Sequence, residues 1–163
     1  MLGHKLWQTA RCSFETFATV RDVAPLVAFG FSSDEVVAGV DANDYDSIIR
    51  AFAAVRPDVV VNCIGIVKQR PGAKDPIATI SINGLFPHRV ANLCRAVGAR
   101  LIHISTDCVF SGRKGNYREA DEPDADDLYG RSKLIGEPGD GALTLRTSMI
   151  GREIGTSRRY QPL

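Results

Sequence analysis

A chain of 163 residues with a formal net charge of +1 and 24% charged residues lacks the broad field of a dedicated nucleic-acid binder, and no Lys/Arg block interleaved with aromatics occurs in it. Its 44% hydrophobic residues suffice for one buried core. No apolar stretch reaches the roughly 20 residues that cross a bilayer, and the N-terminus lacks a signal-peptide pattern, so a cytoplasmic protein without membrane or nucleic-acid partners is expected.

In chain order, residues 14–20 alternate well enough to be a strand, and residues 35–40 read as a second, short one. Ile48, Ile49, Phe52 and Val55 recur at helical spacing over residues 44–55, with Asn43 or Asp44 as N-cap and Pro57 as the stop. Residues 58–65 form a β-branched run without polar alternation, the pattern of a parallel strand buried on both faces. A long helix over residues 76–97, opened by Asp75-Pro76 and closed by Gly98, leads to another buried strand at 100–105. Residues 112–127 are polar, acidic and turn-rich, a loop bordering the site. A helix at 129–137, a break at Pro138-Gly139-Asp140-Gly141 and a strand at 142–147 complete the series.

Strands separated by helices of this length predict an α/β fold: a doubly wound parallel sheet with helices on both faces. Ligands gather beyond the carboxyl ends of such strands. That rim would carry Asp41, Asn62 with Gly65, Ser105 with Thr106, and Thr147 with Ser148. Cys12, Cys63, Cys94 and Cys108 are scattered without a C-x-x-C, and His4, His88 and His103 share no ligand spacing with them, so no metal site is expected. Cys63 and Cys94 read as buried small apolar residues.

Tyr129 and Lys133, four residues apart in the last helix, fall on one helical face about 6 Å apart along the axis. A phenol with a pKa of about 10 becomes a better proton donor beside a fixed cation, which is general acid chemistry suited to an alkoxide forming next to a hydride donor. An isolated Tyr-x-x-x-Lys also occurs as a solvated surface pair. Ser105-Thr106-Asp107, placed where an apolar run stops, shifts the balance toward a site.

Val60-Val61-Asn62-Cys63-Ile64-Gly65, Asn83-Gly84, Ile104-Ser105-Thr106-Asp107-Cys108-Val109-Phe110-Ser111-Gly112, Gly115-Asn116-Tyr117-Arg118-Glu119, Tyr129-Gly130-Arg131-Ser132-Lys133-Leu134-Ile135-Gly136-Glu137 and Leu145-Arg146-Thr147-Ser148 occur in order. Together they resemble the extended short-chain dehydrogenase/reductase family, and within it dTDP-4-dehydrorhamnose reductase and related nucleotide-sugar 4-ketoreductases. The resemblance runs from Met1 to about Glu153. It implies a Rossmann-like domain that binds NADP or NAD and takes a nucleotide-sugar substrate. It gives Tyr129 the role of proton donor to the sugar ketone, Lys133 that of ribose ligand and modulator of the tyrosine, and Thr106 that of hydrogen-bond partner of the carbonyl oxygen. Asn62, Ile64 and Gly65, with Ser105, would line the cofactor path, and Asp41 with Ala42 would sit beside the adenine. Arg21 is either the ligand of a 2′-phosphate or an ordinary surface arginine. Asp107 reads as a turn former and His103 as a core histidine. Asn83 is open between a backbone-bridging contact and an exposed face, and Arg146 between the nicotinamide region and a salt bridge. Pairing of two copies as a homodimer is left open.

The family begins with a strand and a G-x-x-G-x-x-G turn that holds the pyrophosphate. Met1-Leu2-Gly3-His4-Lys5-Leu6 matches only the end of that motif, with Gly3 as its third glycine. The expectation is therefore a fragment: a partial NAD(P)-binding domain over residues 1–153 that lacks the first strand and most of the C-terminal substrate region, followed by an unstructured tail at 154–163. Its strands at 14–20 and 58–63 would lose a shared partner, leaving edge groups unpaired at about 1 to 3 kcal/mol each. Three readings remain: a reductase of a 4-keto-6-deoxy nucleotide sugar, a non-catalytic binding module similar to the regulatory subunit of methionine adenosyltransferase, and a piece unable to hold a dinucleotide.

Overall fold

The computed structural model describes residues 2–22, 33–68, 71–148, 151–152 and 159–160. The chain divides into two compact units, Met1–Pro57 with Met149–Leu163, and Asp58–Ser148.

In the first unit helix α1 (Leu2–Ala10) buries Trp7. The Arg11 guanidinium lies 4.5 Å from the centre of the Trp7 ring and pairs with Glu35 at 3.4 Å. Strands β1 (Ala18–Thr19) and β2 (Val36–Val37) pair in parallel, and the ladder continues through Val20 N–H to Val37 O and Val40 N–H to Val20 O. Both strands are shorter than their sequences suggest. Ser13 and Phe14 N–H both bond back to Ala10 O in a turn that extends α1, and Phe14 is 73% exposed, so the alternation at 14–17 never enters the sheet. At the second strand, Ser33–Glu35 wind into a 3-10 turn and Gly39, at φ +70°, ends the extended stretch.

Helix α2 (Tyr45–Val55) starts at Asp44, whose carboxylate accepts the Ser47 N–H at 3.3 Å, and stops at Arg56 in the left-handed region. Ser47, Ile48 and Ala51 form its buried face. Gly151–Arg152 (β6) and Arg159–Tyr160 (β7) pair antiparallel; the rest of the expected tail at 154–163 lies outside the described residues. Among the described residues β1 and β2 form a two-stranded sheet of their own.

The second unit is a parallel sheet in the order β3 (Val59–Asn62), β4 (Arg100–Ser105), β5 (Ala142–Arg146). Its register sets Asn62 beside His103, His103 beside Thr144, and Ser105 beside Arg146. Between β3 and β4 the chain forms three consecutive helical segments: α3 (Pro76–Thr79), a π-helical turn at Ile80–Leu85, and α4 (Phe86–Val97). Asp75 caps the start by accepting the Ile77 N–H at 2.9 Å, and Gly98, at φ +77°, ends it. Phe86, Val90 and Cys94 of α4 are buried, as are Leu101 and Val109. Helix α5 (Leu128–Ile135) connects β4 to β5. The unit is a parallel, Rossmann-like α/β fold. No described helix is long and apolar enough to cross a membrane.

Candidate active site

The carboxyl ends of β3 and β4 and the start of α5 build one corner of the second unit. At the end of β3, buried Asn62 folds its side chain over the turn that follows, so that Oδ1 accepts the Ile64 N–H at 3.0 Å. The next turn residue is held from the π-helical segment, where fully buried Asn83 accepts the Ile66 N–H at 2.8 Å through Oδ1 and donates Nδ2 to Ile66 O at 3.0 Å. Asn83 is thus the backbone bridge of the two roles open to it, and its Nδ2 also reaches Ser132 Oγ on α5 at 3.3 Å.

Glycine at 65 leaves this corner open. A Cβ there would lie 3.3 Å from Asn83 Oδ1 and 3.8 Å from Lys133 Nζ. At the end of β4, Thr106 is buried and caps the 3-10 turn Asp107–Val109, accepting the Cys108 N–H at 3.2 Å. Its own hydroxyl is directed at Asp107 Oδ1, 3.3 Å away. Asp107 also accepts the Ser148 hydroxyl from 41 residues further along the chain, a side-chain contact in place of the turn-forming bond to its own backbone expected of it.

Helix α5 is fixed to these ends by its cap, by two glycines and by one lysine. Its N-cap Asp127 accepts the Gly130 N–H at 2.8 Å and the Lys68 ammonium at 2.9 Å. Burial pushes that carboxyl up, but the amide and the ammonium outweigh it and the net shift is downward. A Cβ on Gly130 would fall 2.3 Å from Cys108 O, and one on Gly136 would fall 1.7 Å from Asn83 O, so α5 packs backbone against backbone at both ends. Tyr129, half-buried, stands at the start of the helix next to the Gly130 contact. One turn on, Lys133 is buried and donates Nζ to Ile104 O at 2.8 Å. Burial lowers its pKa to about 8, with Glu137 and Cys63 pulling it back up.

Beyond α5, Glu137 gathers three donors: Ser105 Oγ at 2.6 Å, and Arg146 through Nε at 3.0 Å and through its terminal nitrogen at 2.7 Å. Arg146 is therefore a salt-bridge residue, its guanidinium 5.1 Å from the centre of the Phe110 ring. Ser105, expected along the cofactor path, turns its hydroxyl to this carboxylate. Glu137 and the packing glycines 130 and 136 stand in the motif that carries the resemblance, but the sequence assigned them no role and ran the helix through Glu137, two residues past its end at Ile135.

Asn62, Ile64, Gly65, Ser105, Thr106, Tyr129 and Lys133 all lie in this one unit. Gly3, Arg21 and Asp41 belong to the other. There Gly3 is half-buried in α1, Arg21 is exposed just past β1, and Asp41 accepts the Asn43 N–H at 2.8 Å in a local turn.

The sequence matches the RmlD substrate binding domain family over residues 1–151. The chain belongs to that family. Among curated members, the dTDP-4-dehydrorhamnose reductase of Streptomyces griseus is 38% identical over 99 residues, 60% of this chain and 33% of that protein. Methionine adenosyltransferase 2 subunit beta of Danio rerio is 36% identical over 117 residues, 68% of this chain and 35% of that protein. A dTDP-4-dehydrorhamnose reductase from Bacillus anthracis, solved in complex with NADP, superposes with a TM-score of 0.61 at 25% identity, over 72% of this chain and 46% of its own. The chain spans about a third of the length of the curated relatives it matches. In this chain of the RmlD family, Gly65 follows β3, Thr106 follows β4, and Tyr129 and Lys133 stand on α5.

Proposed function

We propose that this chain carries the catalytic corner of a nicotinamide-dependent reductase of 4-keto-6-deoxy nucleotide sugars. The observation that carries the reading is the buried ammonium of Lys133 between Ile104 O and the open corner at Gly65. An ammonium has three N–H donors, so after one bond to Ile104 it retains donors for a vicinal diol, and the missing Cβ at residue 65 leaves room for it. These features fit a dinucleotide ribose, and the NADP in the Bacillus anthracis relative supports that choice. The dinucleotide, when bound, supplies the hydride that reduces the ketone carbon.

The chain's own residues handle the oxygen. Tyr129 gives its phenolic proton to the ketone oxygen as the C–O double bond becomes a single bond, and Thr106 turns its hydroxyl from Asp107 to the same oxygen. Lys133, one turn from Tyr129, favours the phenolate left behind. Of the three dinucleotide ligands expected in the other unit, Arg21 would meet a 2′-phosphate, Asp41 the adenine side and Gly3 the pyrophosphate. The test is oxidation of NADPH and NADH by the full-length protein with dTDP-4-keto-6-deoxysugar. Tyr129→Phe is expected to lower turnover by about 100-fold or more with dinucleotide affinity nearly unchanged. Full turnover in that variant would overturn the assignment.

A second reading has its own support: the match to the methionine adenosyltransferase subunit covers more of this chain than the match to the Streptomyces reductase does. On that reading the same corner serves a partner protein's regulation, and no nucleotide-sugar turnover accompanies dinucleotide binding.

A further inference from the structure

His103 is completely buried in the middle of the central strand, 3.1 Å through Nδ1 from Asn62 Nδ2. The direction of that bond is set by the backbone. The Ile64 N–H can only donate, so the Asn62 atom facing it at 3.0 Å is the oxygen, and the amide nitrogen must face His103. An amide NH2 can only donate as well. The ring nitrogen it meets is therefore bare, and the neutral ring carries its proton on Nε2.

That second nitrogen has no hydrogen-bond partner among the described residues, and neither has Thr144 Oγ1, its in-register neighbour on β5. An apolar side chain here would remove the unpaired ring N–H but leave the buried Asn62 amide N–H without its acceptor. The polarity of residue 103 is used on one side only, toward the turn after β3.

We propose that His103 is a positioning residue: its bare Nδ1 fixes the Asn62 amide, Asn62 fixes the Ile64–Gly65 turn against Lys133, and a proton on that nitrogen releases the turn. The effect on dinucleotide binding rests on the reductase reading above; the hydrogen-bond chain itself does not. Asn83 holds the far end of the same turn at Ile66, so His103 controls the one end that responds to protons. The groups facing the ring are Asn62 from β3, Thr144 from β5, Lys133 from α5, Glu137 just beyond it and His88 from α4. Burial and then Lys133 and His88 disfavour the charged ring, Glu137 favours it, and the balance lowers its pKa to about 4. The turn is thus locked at neutral pH and opens in acid.

The experiment combines long-range nitrogen NMR of the His103 ring with hydrogen exchange at the Ile64 amide and NADPH titration. It uses wild type, His103→Leu and His103→Asn, the last keeping an acceptor near the place of Nδ1 without a titrating group. At pH 7 the wild-type ring is expected to carry its proton on Nε2. Protection of the Ile64 amide should fall about tenfold in His103→Leu, and in wild type below a pH of about 4, while His103→Asn keeps it across the range. NADPH affinity should follow the same order. A proton on Nδ1 at pH 7, or equal Ile64 protection in wild type and His103→Leu, would overturn the proposal. The ring measurement needs no variant to fold. Failure of every form to bind NADPH, with ring and exchange results as expected, would speak against the reductase reading alone.

Discussion

Lys133 and Ile104 meet at the end of the central strand, where a buried ammonium donates to a main-chain carbonyl oxygen at 2.8 Å. The contact ties a charge that folding disfavours to a strand end whose direction it fixes. The pKa of Lys133 in the folded chain, about 8, is below its ordinary 10.5. Between those values the unfolded chain binds the extra proton, so stability rises with pH through that window, and below it the buried charge costs about 3 kcal/mol.

Lys133→Met removes that cost and takes from Ile104 O its ammonium donor, at about 1 to 3 kcal/mol. Urea denaturation at pH 7 is expected to place the variant within about 2 kcal/mol of wild type, while ketone reduction falls by about 100-fold or more. Wild type should also gain stability between pH 8 and 10.5 relative to the variant. Equal slopes for the two proteins would contradict the buried-charge account.

Glu137 and Arg146 are two-point partners with side chains only 12% and 24% exposed. Removing either one strands the other, and the Ser105 hydroxyl loses its acceptor with Glu137. A double-mutant cycle with Glu137→Gln and Arg146→Met should return a coupling of about 1 to 3 kcal/mol in unfolding free energy. Additive single effects would mean that the pair stabilises nothing beyond its separate contacts.

Gly130 and Gly136 face backbone carbonyls with no room for a methyl group, whereas Gly139 has nothing within 4 Å of where a Cβ would stand. Gly130→Ala and Gly136→Ala should each lower stability by more than about 2 kcal/mol, and Gly139→Ala should stay within about 0.5 kcal/mol. Thermal melts of the three variants decide it. A harmless Gly136→Ala would show that α5 can lift off the π-helical segment.

The His103 ring titrates in the folded chain near 4, below its ordinary 6.5. The unfolded chain takes up the proton first as pH falls, so the stability associated with the neutral ring is complete above pH 6.5 and lost on the way down to 4, a change of about 3 kcal/mol. Denaturation midpoints recorded across that interval should fall more steeply for wild type than for His103→Asn. Parallel curves would place the acid lability elsewhere.

The elements best read from the sequence are those whose signals are local. The apolar run ending at Ser105 and the caps Asp44, Asp75 and Gly98 locate β4, α2 and the two ends of the long helical stretch to within a residue or two, while the run at residues 58–65 locates β3 but overruns its end at Asn62. Tyr129 and Lys133 were legible as a pair because a helix of any sequence brings such positions to one face. The short β1 and β2 were overestimated, since alternation at residues 14–17 does not reveal that the preceding helix keeps their backbone. Arg146 stayed undecided because its partner, Glu137, comes from a different element, and nothing in a period of 3.6 announces a widened turn at Ile80–Leu85.

That widened turn has a geometric consequence of its own. Each residue of an α-helix advances the phase by about 100°, and a π turn absorbs one residue without spending that rotation. Asn83 and Gly84 reach α5 and Ile66 from inside this stretch, while Phe86, Val90 and Cys94 still face the core from beyond it. The bulge acts as a phase shifter between two stripes of contacts. Excising one residue there would restore an α-helical turn with both stripes still in step, whereas straightening the turn with every residue kept would rotate one stripe against the other by about a quarter of a revolution.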